Sequence, residues 1–130
     1  MKILITGANG YIGSRLCKFF FDKGYWVIAL CRNKIPYKIG WTDKINQFIF
    51  GDLRLKKTVE KIFKFKPDVI IHLVSLNKID SEKNINKTLN INVKTTWDLL
   101  DASVKIGVKK FINFSSIHAK YNYCFDGEVK

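Results

Sequence analysis

Apolar residues occur along the chain in two different spacings. Short unbroken runs of β-branched and aliphatic residues alternate with longer stretches in which apolar residues recur every three or four positions. The unbroken runs are typical of strands buried on both faces, and the longer spacing is typical of amphipathic helices. The runs predict five strands at residues 2–6, 25–30, 47–50, 69–74 and 111–114. The longer spacing predicts helices at about residues 11–23, 55–63 and 85–104.

The same positions predict which face of each helix packs on the sheet. In the first helix this face is Ile12, Leu16, Phe19 and Phe20. In the long third helix it is Ile85, Leu89, Val93, Thr96, Leu100 and Val104. Residues 31–44 and the polar residues 75–84 are predicted as loops. Because strands alternate with helices, the sequence predicts one α/β domain, residues 1–130, with a parallel sheet and right-handed crossovers.

Composition and charge narrow the class of protein. Hydrophobic residues make up 47% of the 130 residues, as in ordinary globular domains. No apolar run reaches the ~18 residues of a membrane span, so no membrane association is expected. The net charge of +12 comes almost entirely from scattered lysines, which disfavours nucleic acid as the main partner. Three widely spaced cysteines favour a reducing cytoplasm, and the two histidines give no metal-ligand spacing, so no metal site is predicted.

A glycine-rich turn joins the first predicted strand to the first predicted helix. Gly7, Gly10 and Gly13 follow the strand at three-residue spacing, and Tyr11 begins the helical pattern. Such a turn places backbone N–H groups at a helix N-terminus, which attracts a phosphate. The glycines would allow a tight turn, the approach of a pyrophosphate and close packing of helix on strand, in that order. The alternative is a purely structural turn, but the strand and helix that flank the motif favour nucleotide binding.

Polar or glycine-rich residues follow each of the five predicted strands. They are residues 7–13, 31–33, 52–53, 75 and 115–116. In an open parallel sheet the carboxyl ends of the strands share one edge, and ligands bind beyond it. We therefore expect these residues to lie together where a dinucleotide would cross the sheet.

Two of these strand ends carry charged residues with alternative interpretations. Arg32 follows the second strand where a carboxylate would favour NAD, so it favours NADP by accepting the 2′-phosphate; the alternative is an ordinary exposed loop arginine. Asp52 follows the third strand and could accept a hydrogen bond from the adenine amino group, with Leu53 packed on the ring. Alternatively, Asp52 is the N-cap of the following helix.

The two histidines are weaker candidates: His72 lies within an apolar strand and is predicted to be a core residue, whereas His118 is a candidate substrate contact.

Several motifs in order resemble one family, the extended short-chain dehydrogenase/reductases, and within it the NAD(P)-dependent epimerase/dehydratase branch. The motifs are Thr6-Gly7-x-x-Gly10-x-x-Gly13, Gly51-Asp52-Leu53, His72-Leu73-Val74-Ser75, Asn92-Val93-x-x-Thr96 and Phe111-x-x-x-Ser115-Ser116. The match extends from residue 1 to about residue 118. The resemblance implies a Rossmann-type doubly wound parallel sheet of which five strands are present, so the sheet would be incomplete at its C-terminal side.

The resemblance also implies roles for individual residues. The cofactor NAD(P) would bind Thr6, Gly7, Asn9, Gly10, Tyr11, Ile12 and Gly13 through its pyrophosphate. Asp52 and Leu53 would bind the adenine, Leu73 and Ser75 would lie near the phosphate and ribose, and Asn92 would belong to the active-site scaffold. Ser116 corresponds to the catalytic hydroxyl that contacts the substrate oxygen, although a serine there can also be a strand-end cap. The substrate would be a small molecule of the nucleotide-sugar class.

One departure from the family pattern limits the functional prediction. The family carries a catalytic Tyr-x-x-x-Lys after that serine, in which the lysine lowers the pKa of the tyrosine. Tyr121 and Tyr123 are followed four residues later by Phe125 and Gly127. The chain is therefore interpreted as the N-terminal portion of a longer enzyme, inactive by itself, that lacks the substrate lobe. The alternatives are a complete NAD(P)-binding sensor or partner module and, less favoured, a basic nucleic-acid binder. By analogy with the family, the long helix could form a homodimer interface.

Overall fold

A computed structural model of the protein describes residues 1–35 and 40–115. In this part of the chain five strands form one sheet: Lys2–Thr6 (β1), Trp26–Cys31 (β2), Gln47–Phe50 (β3), Val69–His72 (β4) and Lys110–Asn113 (β5). All neighbouring pairs are parallel, in the order β3-β2-β1-β4-β5. This is the strand order of the Rossmann fold, so the predicted fold class is confirmed.

Helices connect the strands on both faces of the sheet. They are Tyr11–Asp22 (α1), Lys56–Phe63 (α2), Lys78–Lys83 (α3), Ile85–Thr88 (α4) and Thr95–Lys105 (α5). A π-helical segment, Leu89–Lys94, joins α4 to α5, and a 3₁₀ turn, Thr42–Lys44, precedes β3. The prediction of a loop at 75–84 was wrong, because α3 lies within it. Asn77 caps α3 by accepting a hydrogen bond from the backbone N–H of Asp80, over 2.8 Å.

The three central strands, β2, β1 and β4, bury both of their faces, which explains their unbroken apolar sequences, whereas the edge strand β5 is mostly exposed. In β1 the side chains alternate: Ile3 and Ile5 pack in the layer that contains α1, and Leu4 packs in the opposite layer with Ile62 of α2 and Leu99 of α5. All five are almost completely buried. The sheet is therefore covered by helices on both sides, as the doubly wound architecture requires. No helix among the described residues is long and apolar enough to cross a bilayer.

The predicted face of the long helix was mostly wrong: of its six residues only Thr96 and Leu100 are half-buried. The residues of this segment that are buried are Ile91, Thr95, Leu99 and Ser103. The predicted residues Ile85, Leu89, Val93 and Val104 are between 51% and 72% exposed. The reason lies in the hydroxyls that face the sheet. Thr95 donates to the backbone carbonyl of Asn90 over 2.8 Å and Ser103 donates to that of Leu99 over 2.5 Å, so both side chains are buried without an unpaired polar atom.

The predicted face of α1 was also partly wrong. Ile12 and Phe19 are about half exposed, whereas Gly13 and Cys17 are the residues buried against the sheet. Leu16 and Phe20 pack beside them, as predicted. Small residues at the contact bring the helix close to the strand, which leaves larger neighbours on the outer side.

Gly13 makes the closest of these contacts. A Cβ atom at this position would lie 2.3 Å from the carbonyl oxygen of Gly7 and 2.8 Å from the Cα of Ala8. Both of these atoms belong to the backbone, so the obstacle cannot rotate away. Any side chain at residue 13 would therefore displace α1 from the end of β1.

We expect Gly13→Ala to lower the free energy of unfolding by about 2 kcal/mol or more, because the added methyl group overpacks a contact between backbone segments. Urea denaturation measures the change. Gly40→Ala is the matched control: a Cβ at Gly40 meets nothing within 4 Å, so its effect should stay within about 0.5 kcal/mol. Equal denaturation midpoints for the two variants would show that α1 does not need the close approach.

Candidate functional site

A cleft of about 370 Å³ lies at the carboxyl ends of the strands. Residues from the loops after β1, β2, β3 and β4 line it, so it lies where the chain order of the sheet reverses between β1 and β4. Ligands of doubly wound folds bind at this position. The predicted site residues that line the cleft are Gly7, Asn9, Gly10, Arg32, Asp52, Leu53, Leu73 and Ser75.

The glycine turn forms one wall of the cleft. Gly7 has φ +66°, a left-handed conformation that favours glycine, and the backbone N–H of Gly10 donates to the carbonyl of Gly7 over 2.9 Å. Gly10 is the N-cap residue of α1, and no described side chain caps this helix or places an acid in its first turn. The first N–H groups of α1 are therefore available to an anion.

The third strand ends in a carboxylate held by an arginine. Both oxygens of Asp52 accept hydrogen bonds from the guanidinium of Arg54, over 2.5 to 3.0 Å. This fork holds the pKa of Asp52 below its usual value, and the nearby charge of Arg32 lowers it further. Helix α2 begins at Lys56 with Leu55 as its N-cap residue and no capping side chain, so the alternative role of Asp52 as the N-cap was wrong. Asp52 is thus an ionised acceptor on the cleft wall at neutral pH.

Leu53 has a dual position. Its side chain is 6% exposed and packs in the core with Ile49 and Ile62, and it also lines the cleft. Core packing therefore fixes the position of Leu53 on the cleft wall.

His72 connects the two central strands to the long helix. Thr96 donates its hydroxyl to the carbonyl of Asn92 over 2.9 Å, so it accepts from His72 Nε2, 3.1 Å away. Nδ1 is then the acceptor for the hydroxyl of Thr6, 2.8 Å away, and Thr6 in turn accepts from the backbone N–H of Leu73 over 3.1 Å. Every polar atom in this series of hydrogen bonds has a partner only when His72 is neutral and carries its proton on Nε2. His72 is 1% exposed, which confirms the prediction of a core residue.

Asn92 holds the loop that follows β4. Its side-chain oxygen accepts from the backbone N–H of Leu76 over 2.8 Å, and Ser75 precedes that residue on the cleft wall. Asn92 itself does not line the cleft. It lies in the π-helical segment, a local widening that is frequent at functional sites.

Several predicted site residues lie beside the cleft instead of lining it: Thr6, Tyr11, Ile12, Gly13 and Asn92. Tyr11 is 76% exposed, with the guanidinium of Arg15 stacked 3.6 Å from its ring centre. Ser116 and His118 lie outside the described residues, so their predicted roles stay predictions. Ser115 is described and exposed, and it does not line the cleft.

The sequence interpretation included Asn33 in the range 31–33, but it missed seven of the sixteen lining residues: Leu30, Gly51, Arg54, Val74, Leu76, Ile91 and Thr95. Most of them are immediate neighbours of predicted residues, so a wider window at each strand end would have included them. Ile91 and Thr95 come from the buried face of the long helix, which the apolar pattern assigned to the wrong side.

Fold and cleft together define a nucleotide-binding α/β domain of the Rossmann type. The family model of the NAD-dependent epimerase/dehydratase family matches residues 3–123. The chain belongs to this family.

Curated relatives are similar over nearly the whole chain. The CDP-paratose 2-epimerase of Salmonella typhi is 31% identical over 128 residues, which are 93% of this chain and 38% of that protein. The UDP-glucose 4-epimerase of Klebsiella pneumoniae is 32% identical over 126 residues, 89% of each chain. The dTDP-4-dehydrorhamnose reductase of Aggregatibacter actinomycetemcomitans is 29% identical over 97% of this chain and 36% of its own length. The chain thus spans little more than a third of two of these three relatives.

Solved structures show the same relationship. The UDP-glucose 4-epimerase of Thermotoga maritima with UDP-glucose has a TM-score of 0.78 and 29% identity, over 89% of this chain and 38% of that one. The UDP-glucose 4-epimerase of Bifidobacterium longum in complex with NAD⁺ and UDP has a TM-score of 0.78 and 26% identity, over 90% and 37% of the two chains.

We expect stability to fall as the pH is lowered from 7 to 4, because burial lowers the pKa of His72 to about 4. The unfolded chain binds this proton near pH 6.5 and the folded chain does not, so protons favour unfolding throughout this window. The loss should be roughly 2 kcal/mol at pH 5 and roughly 3 kcal/mol at pH 4. Urea denaturation at several pH values measures it.

The control for this pH dependence is His72→Gln, whose stability should change little between pH 7 and pH 5. Asp52 and Asp68 also have lowered pKa values, but the stability that they contribute is lost mainly below pH 5. If the variant does not fold, the imidazole resonances of His72 in the wild type decide: a titration midpoint above pH 6 would contradict the neutral buried ring.

Proposed function

We propose that this chain is the NAD(P)-binding portion of a longer nucleotide-sugar epimerase, dehydratase or reductase. The observation that carries the proposal is the uncapped start of α1 beside the glycine turn, at the switch point of the sheet. The residues present fit a dinucleotide: N–H groups for its pyrophosphate, an ionised Asp52 for a base or ribose, and apolar Leu53 and Leu73 lining the same cleft.

The cofactor contacts follow from this arrangement. The pyrophosphate would meet the turn formed by residues 6–13, and the adenine would meet Asp52 and Leu53. Ser75 would lie near the phosphate and ribose, and Asn92 would keep its loop in place. When bound, the nicotinamide supplies hydride transfer to or from a substrate carbon.

Ser116 is the proposed catalytic residue, as the hydroxyl that contacts the reacting oxygen of a small-molecule substrate, a nucleotide sugar. Neither Tyr121 nor Tyr123 has a lysine four residues later, so the 130 residues by themselves should bind the cofactor without turnover. Steady-state turnover of a sugar nucleotide by the isolated chain would overturn this proposal.

The proposed preference for NADP over NAD rests on Arg32. It lines the cleft beyond β2, close enough to Asp52 to lower the pKa of that carboxyl. A guanidinium there can bind a 2′-phosphate by donating two parallel hydrogen bonds to its oxygens.

We expect the isolated chain to bind NADPH more tightly than NADH, and Arg32→Ala to weaken NADPH binding by about tenfold while changing NADH binding little. Fluorescence titration of the reduced nucleotides measures both affinities. Lys34→Ala is the matched control. It removes the same charge two residues from Arg32, and the side chain of Lys34 does not line the cleft. Equal affinities for NADPH and NADH in the wild type, or an unchanged NADPH affinity in Arg32→Ala, would contradict the preference for NADP. If neither nucleotide binds, the proposed function is contradicted.

The exposed side of the long helix supports a proposed homodimer in the cytoplasm. This side is an apolar face whose residues are each between 51% and 72% exposed: Ile85, Leu89, Val93, Trp97 and Val104. Apolar faces of this kind mark protein interfaces more often than free surface. The described cysteines, Cys17 and Cys31, are buried free thiols, which fits a reducing compartment.

We expect Trp97→Glu to shift the protein toward the monomer, because a carboxylate in the centre of an apolar interface must be desolvated without a partner. Sedimentation equilibrium measures the shift, which should be at least tenfold in the dissociation constant. Phe19→Glu is the control: Phe19 is also exposed, but it lies on α1 in the opposite layer of the sheet. A wild-type chain that is monomeric at every concentration would contradict the dimer.

A further inference from the structure

The fork between Asp52 and Arg54 is the one ion pair on the described cleft wall. Nε of Arg54 lies 3.0 Å from each oxygen of Asp52, and Nη2 lies 2.5 Å from Oδ2. The backbone N–H of Arg54 also donates to Oδ1, over 2.9 Å. Both side chains line the cleft.

These contacts leave the carboxylate with one free acceptor position. A carboxylate offers about four lone-pair sites. Three N–H groups of Arg54 donate to it: the backbone N–H to Oδ1, Nη2 to Oδ2, and Nε to both oxygens at the same distance of 3.0 Å. Because the two oxygens share the single proton of Nε, these donors fill about three of the four sites. The fork therefore fixes the rotation of the carboxylate and leaves room for about one further N–H from a ligand.

The backbone under the fork is fixed as well. A Cβ at Gly51 would lie 2.6 Å from Oγ1 of the buried Thr58, so the end of β3 is packed directly on α2. The backbone N–H of Leu55 donates to the carbonyl of Asp52 over 3.0 Å, which closes the turn that carries both charged residues. Exposed ion pairs usually contribute little because their side chains must be ordered, but here the turn already holds the two groups together.

We propose that Arg54 is a positioning residue for base recognition: it orients the carboxylate of Asp52 so that the free acceptor site selects the exocyclic amino group of adenine. This inference rests on the proposed function and deepens it. Arg54 itself donates only, so it cannot accept from the amino group. Without the fork, Asp52 could turn to accept from other donors, such as a ribose hydroxyl or a ring N–H, and the selection for an amino group would weaken.

The test compares NADH with reduced nicotinamide hypoxanthine dinucleotide, in which a carbonyl oxygen replaces the amino group. The two ligands carry the same charge but differ at the exocyclic group and at ring N1, which carries a proton in hypoxanthine, so the ratio of their affinities reports which of these donors the carboxylate selects. A carboxylate aimed at a carbonyl oxygen loses a charged hydrogen bond, so the wild type should prefer NADH by about tenfold or more. Arg54→Ala should reduce this preference to about threefold or less.

A double-mutant cycle separates positioning from direct contact. Asp52→Ala should abolish the preference, and adding Arg54→Ala to it should change the ratio no further. Arg54→Lys, which keeps the charge but cannot form the fork, should behave like Arg54→Ala. Lys34→Ala is the matched control: it removes a positive charge from a side chain that does not line the cleft, and it should leave the ratio at the wild-type value.

Each outcome decides between the two proposals. A wild-type chain that binds neither dinucleotide overturns the proposed function. A chain that binds both equally, or whose preference survives Arg54→Ala, overturns the positioning role alone. An effect of Arg54→Ala that persists in the Asp52→Ala background would mean that Arg54 reads the base itself, and this too would overturn the inference. Arg54 has a side chain 42% exposed, so its substitution should leave the thermal melting of the chain unchanged.

Discussion

The structure depends first on the absence of a side chain at Gly13. Because a Cβ there would lie 2.3 Å from a backbone oxygen of the preceding turn, α1 can lie directly against the end of β1. Since β1 is the central strand, this contact sets the position of the helix start relative to the whole sheet. The close approach of these two backbone segments determines the turn, the position of the N–H groups at the start of α1 and the edge of the cleft. No side chain has to be ordered for this approach.

A second constraint connects the other wall of the cleft to the first. The hydrogen-bond chain through His72 links Thr6, at the end of β1, to the residue after β4 and to Thr96 on the long helix. The glycine turn and the loop after β4 therefore share one buried polar network. Such a network is costly to leave partly satisfied, so its members hold one arrangement or lose several hydrogen bonds together. This explains how a ring that has a lowered pKa and is almost completely buried is accommodated in an otherwise apolar strand.

How far the sequence predicted the structure depended on how local each signal was. The strands and the glycine turn were predicted because short apolar runs and a strand–glycine–helix order are local. The helix faces were partly wrong because Gly13, Thr95 and Ser103 contact the sheet, and small or hydroxylated residues carry no hydrophobic signal. Their burial depends on backbone approach and on hydrogen bonds to carbonyls one turn earlier. The fork of Arg54 on Asp52 was missed for a similar reason, since a pairing between residues two apart depends on the shape of the turn.

The error on the long helix is itself informative. Its apolar periodicity is real, but it belongs to the face turned away from the sheet, while the buried face carries threonine and serine. A helix with an apolar outer face gains nothing from this pattern as a monomer, because these side chains remain in water. The proposed dimer accounts for the pattern, since the outer face would then be buried against a second copy. Burial of two faces of the helix in such a dimer would also explain why hydrophobic periodicity, which assumes a single core, assigned the sheet contact to the wrong side.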